Sequence, residues 1–127
     1  MNREADPGGM PLLSGTPNQI EWAERIRERV HDEFDRVAAT FHAVAAKQDA
    51  AARADTEAII SILEEKRKEV MRRDQAGYFI HDWQEITDQV RQLIFHDTGY
   101  APIRERQEAR RKPPGPVAAR TLSAESC

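Results

Sequence analysis

Cysteine, aromatic residues and long apolar runs are all scarce in this chain, and each scarcity excludes something. The one cysteine is Cys127, the last residue, so no disulfide within the chain and no cysteine metal site can form. With no signal-peptide pattern at the polar N-terminus, this cysteine usage points to the cytosol. No apolar run approaches the roughly 18–20 residues that a membrane-spanning helix requires, so a soluble protein with no membrane partner is expected. Aromatic residues are 6% of the total, which leaves a core of aliphatic side chains and alanine. Proline and glycine are both missing between Pro17 and Gly77, and that gap reads as helix.

What is present suits thin helical packing. The 127 residues allow a single domain, and 39% hydrophobic with 32% charged residues fits helices with wide solvated faces. The net charge of −3 is unevenly spread. After residue 100 there are six basic and three acidic residues, a net +3, so residues 1–100 carry −6. An acidic body with a basic tail favours protein partners over general DNA binding by the body.

The first helix start is explicit. Thr16 is placed as N-cap, Pro17 at the first helical position, and Gln19 completes a capping box in which two side chains satisfy backbone donors reciprocally. Apolar residues then fall at Ala23, Ile26, Val30, Phe34, Val37, Phe41 and Val44, steps of three and four that form one helical face. Glu21–Arg25 and Asp32–Arg36 are expected i,i+4 pairs on the opposite side.

Two architectures remain open from here. A single rod of about 60 residues would reach roughly 90 Å and bury its stripe only in a homodimer. The favoured alternative turns within Lys47–Thr56, where Asp49, Asp55 or Thr56 can cap a second helix running from about Thr56 to Arg73, with Gly77 at the left-handed position beyond it. Ile59, Ile60, Leu63, Val70 and Met71 mark its buried side. A third helix lies within Tyr78–His96, carried by Phe79, Trp83, Ile86, Val90 and Leu93. Asp82 and Glu85 repeat the capping-box pattern, so its regular part can begin as late as Trp83. The expected fold is all-α: a long antiparallel helical hairpin plus a third, shorter helix, resembling a three-helix bundle. Residues 1–12 are expected to be disordered, 13–100 to form the helical domain, and 101–127 to be a charged, largely flexible tail in which Ile103–Lys112 has helical potential before Pro113.

The stretch Leu13-Ser14-Gly15-Thr16-Pro17-Asn18-Gln19-Ile20-Glu21-Trp22-Ala23-Glu24-Arg25-Ile26-Arg27 resembles the opening of small bacterial proteins from phages, plasmids and integrated elements. Those begin with a Gly-Ser/Thr-x-x-Gln-x-x-Trp-Ala-x-x-Ile-Arg pattern, and some carry a later aromatic helix similar to Ala76–Trp83. The resemblance covers about 15 residues well and another eight loosely. It implies a helical fold and a mobile-element setting, and it carries no activity. The alanine-rich middle and the basic tail depart from the pattern.

Candidate sites are few. Glu28 and His31 have the Glu-x-x-His spacing of helical di-iron sites, but His42, His81 and His96 lack a glutamate three residues earlier, so no second half-site exists and no metal or cofactor is expected. His31-Asp32, His81-Asp82 and His96-Asp97 are adjacent pairs whose side chains diverge by about 100° on a helix. Ser14, Ser61 and Cys127 have no general base nearby in sequence, and no glycine-rich phosphate loop is present. No catalytic residues are assigned, and the chain is expected not to be an enzyme. Trp22 sits one position off the main stripe, at the edge of the core, where core packing is the default reading and a binding anchor the alternative. Together with Tyr78, Trp83 and Tyr100 it makes up the candidate protein interface. Lys66, Arg67, Arg72 and Arg73 on the second helix, with Arg110, Arg111 and Lys112 in the tail, are the candidate nucleic-acid contacts. Glu64–Lys68 and Glu69–Arg73 pairing argues instead that the second-helix cluster is self-neutralised, and the tail cluster reads somewhat better as an uncomplexed solubilising segment.

The functional expectation is a non-enzymatic interaction protein of a mobile genetic element, an inhibitor or adaptor binding a host nucleoprotein or defence complex. The alternative is a nucleic-acid-associated accessory protein using the basic residues of the second helix and C-terminal arm.

Overall fold

The computed structural model describes residues 10–111. Among them the fold is all-helical, in the order α1 (Pro17–Ala45), α2 (Ala50–Met71), α3 (Ala76–Asp82), α4 (Ile86–Phe95) and α5 (Tyr100–Arg111). Among the described residues, no helix is long and apolar enough to cross a membrane.

α1 begins as its sequence dictates. Thr16 Oγ1 accepts from the Gln19 N–H at 3.2 Å, and Gln19 Oε1 accepts from the Thr16 N–H at 3.0 Å. Pro17 occupies the first turn, where its missing N–H costs nothing. Ala23, Val30, Phe34 and Val37 are buried, each large member stabilising the fold by about 1.5–3 kcal/mol. Ile26 and Val44, expected on the same face, lie roughly 60° off its centre at 100° per residue. Ile26 is accordingly half-buried and Val44 exposed. Arg25 pairs with Glu21 at 3.0 Å, but Arg36 turns to Glu33 rather than Asp32.

The chain then turns, so the hairpin and not the rod is the architecture. Lys47 and Gln48 N–H groups close the turn on Val44 and Ala45 carbonyls, and Asp49 caps α2 by accepting from the Ala52 N–H at 2.9 Å. α2 therefore starts six residues before Thr56, because Ala50–Ala54 are strong helix formers once capped. Ile59, Ile62 and Leu63 bury their side chains in the core.

The expected third helix is two helices. Gly77 does not end α2; it lies inside α3, and Asp74–Ala76 is pinned to the segment before α1. The Ser14 N–H donates to the Asp74 carbonyl at 2.7 Å and the Ala76 N–H to the Ser14 carbonyl at 2.9 Å. The chain breaks again between Asp82 and Ile86. The Asp82/Glu85 capping box is not formed, because Gln89 holds this break: its Oε1 accepts from the Glu85 N–H at 2.7 Å and its Nε2 donates to the Asp82 carbonyl. α3 and α4 pack on α1, with Phe79, Val90 and Ile94 buried.

The helical part also extends past residue 100. α5 packs on α2 through buried Ile103. At the other end Met10 packs against the core and the Pro11 carbonyl accepts from the buried Arg27 guanidinium at 2.6 Å. Residues 1–9 and 112–127 lie outside the described residues.

Candidate functional site

Trp22 follows directly from its position on α1. Its neighbour Ala23 is fully buried, so the indole, about 100° round the helix, points to the edge, and 56% of it is exposed. Beside it opens a groove of about 460 Å³ lined by Ile26 and Arg29 from α1, Ile80 from α3, and Trp83 and Ile86 around the α3–α4 break. Trp83 forms the inner wall at 4% exposure, edge-on to Phe34 with ring centroids 6.3 Å apart. Its indole N–H is buried and meets no acceptor.

A second, smaller groove of about 130 Å³ lies farther along the same side, between Val37, Phe41 and Arg36 of α1 and Arg91, Ile94 and Phe95 of α4. Phe95 is 45% exposed and rests on Tyr100, ring centroids 5.2 Å apart. Ile86 borders the first groove and Phe95 the second, so α4 runs alongside α1 in the same direction.

A polar cleft of about 330 Å³ occupies the opposite side of α4, bounded by Lys66, Tyr78, Trp83, Gln92, His96 and Asp97. Its strongest charges are already paired. Lys66 Nζ lies 3.0 Å from Asp97 Oδ1, and Asp97 Oδ2 accepts from the Gly99 N–H at 2.9 Å. The hydrogen bond to Asp97 raises the Lys66 pKa; the same bond, joined by the Gly99 N–H, lowers that of Asp97.

The four residues read as a protein interface are therefore not one surface. Trp22 is open and Trp83 buried behind it in the same groove. Tyr78 faces the polar cleft with Arg73 stacked 3.8 Å from its ring, and Tyr100 lies under Phe95. The basic residues read as nucleic-acid contacts are largely engaged within the fold. Lys66 is held by Asp97, Arg67 by Asp35 and Glu64, and Arg73 by the Tyr78 ring. Arg110 reaches Asp55 Oδ2 at 2.6 Å, beside Arg106 on Oδ1 at 2.9 Å. Arg72 and Arg111 are exposed, and Lys112 lies outside the described residues. Glu64 and Glu69 pair with Arg67 and Lys66 instead of Lys68 and Arg73.

Sequence reasoning missed Asp55 as a buried charge. Its carboxyl is held below the ordinary range by hydrogen bonds from Arg110 and then Arg106, against the opposing effect of burial. Of the helical metal pattern, His31 gathers with Asp32 and Asp35 on the surface of α1, and Glu28 is not in that group. Arg67 already binds Asp35 there.

No family model, no curated protein and no solved structure matches the chain. Its functional reading therefore rests on its own residues.

Proposed function

We propose that this chain is a non-enzymatic protein-binding module acting in the cytosol, and that it holds its partner in the Trp22 groove. The carrying observation is the indole left more than half exposed beside Ile26, Ile80 and Ile86. A large aromatic next to an apolar concavity is the arrangement of an interface anchor, whose truncation typically costs binding about 2 kcal/mol or more. The resemblance of residues 13–27 to mobile-element proteins narrows the partners worth testing to host nucleoprotein and defence complexes, with the chain as inhibitor or adaptor.

Nucleic-acid binding ranks second, because Lys66, Arg67, Arg73 and Arg110 already have partners within the fold. The test is capture from host lysate on immobilised wild-type chain and on Trp22→Ala, with salt-dependent binding of labelled duplex DNA measured in parallel. A protein retained by the wild type and lost with the variant supports the proposal. Retention of nucleic acid alone, with binding that falls steeply with salt, supports the second reading.

A further inference from the structure

The two grooves beside α1 are ends of one seam. On α1, Trp22, Ile26, Arg29, Glu33, Arg36 and Val44 fall within about 40° of a common line at 100° per residue, roughly a quarter-turn from the buried stripe. This second stripe is apolar at both ends and charged in the middle. Trp22 and Ile26 open it, with Ile86 of α4 alongside; Phe41 faces Phe95 of α4 at the far groove, and exposed Val44, one turn beyond, closes the stripe. Trp22, Val44 and Phe95 are all large apolar residues left exposed. The distance from Trp22 to Val44 along α1 is about 33 Å at 1.5 Å per residue.

Two of the charges between the ends, Arg29 and Arg91, have no ion-pair partner among the described residues. Glu33 is spent on Arg36 and its side chain is only 11% exposed. Arg29 and Arg91 are exposed and make no ion pair among the described residues, and each borders one of the grooves. The nearby acids, Glu85 and Asp88, stand at the amino end of α4, where the helix's own positive end offsets part of their charge. What the middle of the seam offers a partner is therefore two arginines without an ion pair among the described residues.

We propose that the seam receives an amphipathic helix of about 20 residues from another protein, with apolar anchors near its two ends and acidic residues between them. The length follows from the 33 Å between the anchoring ends and the rise of a helix. The shape is that of a helix lying in a groove, read through anchors spaced by three, four and seven residues. The acids answer Arg29 and Arg91. This inference rests on the protein-binding reading above and specifies the form of the partner.

The test uses the full chain and two designed helical 20-residue peptides with identical apolar ends, one carrying glutamates in the middle and the other lysines. Fluorescence anisotropy should show the glutamate peptide bound at least tenfold more tightly. Arg29→Glu combined with Arg91→Glu should reverse that preference, and Trp22→Ala should abolish binding of both peptides. Equal affinity for the two peptides overturns the charge assignment and with it the inference. If neither peptide binds while Trp22-dependent capture of a lysate protein persists, the helical acidic partner is wrong and the binding-module reading stands. If both peptide binding and capture fail, both are wrong. Sedimentation showing a dimer, with Trp22 shielded from quenchers, assigns the seam to a second copy and also overturns the inference.

Discussion

Trp22 and Trp83 line the same groove from opposite states of burial: Trp22 is 56% exposed, while Trp83, at 4%, is packed edge-on against Phe34. The fold is built on one and leaves the other largely in solvent. Truncation should separate them. Trp83→Ala is expected to cost about 3–5 kcal/mol in urea unfolding, the range for a buried aromatic. Trp22→Ala should change stability by no more than about 0.5 kcal/mol. Equal losses would mean that Trp22 is a structural residue.

Asp55 ties α5 to α2, and the two sides of that tie should respond unequally. Arg106→Ala with Arg110→Ala strands a buried carboxylate. This should cost about 2–3 kcal/mol, less than a fully enclosed pair because both guanidiniums are partly in solvent. Asp55→Asn removes the charge but leaves two solvated arginines, at about 1 kcal/mol. Chemical denaturation of both variants measures the difference, and the reverse order would contradict the burial assigned to Asp55.

Asp55 and Asp97 together set an acid limit. The folded-state pKa values of Asp55 and Asp97 are lowered, so the stability they contribute is present above the unfolded carboxylate value of about 3.9. It is lost as pH falls through their lower folded values. Lys66 is raised, so its contribution is complete below about 10.4 and lost as pH rises through the folded value. Unfolding free energy should fall below about pH 4, and less steeply in Asp55→Asn.

Gly15 is the one described residue with a positive φ, +149°. A Cβ there would lie 3.0 Å from Gln19 Oε1 and 3.1 Å from the Ala76 Cβ. Gly15→Ala should therefore disturb the capping box and the Ser14–Ala76 pinning together, lowering stability by about 1–3 kcal/mol. Thermal melting checks it, and an unchanged Tm would show that the turn has freedom the geometry denies.

Legibility followed the range of the interactions. α1 could be read because Thr16 and Gln19 lie three residues apart and its stripe repeats locally, and the edge position of Trp22 came from the same count. The break at Trp83 could not, because Asp82 and Glu85 have the spacing of a capping box while Gln89, outside that pattern, takes the Glu85 N–H. Gly77 looked like a helix end because nothing local announces that Ser14 pins the chain at Asp74 and Ala76. The Asp55 pairs span 51 and 55 residues, so a residue that looked like a cap is instead the anchor of α5. The candidate interface was partly legible for a related reason. Solvent exposure of Trp22 follows from one helix alone, whereas the burial of Trp83 depends on where α3 and α4 settle against α1.

The claim that the Trp22 groove is a binding face is tested most directly by quantitative capture from host lysate on wild-type chain and Trp22→Ala, matched for concentration and thermal stability. A discrete protein should be retained by the wild type and reduced at least tenfold on the variant. Equal retention by both would contradict it.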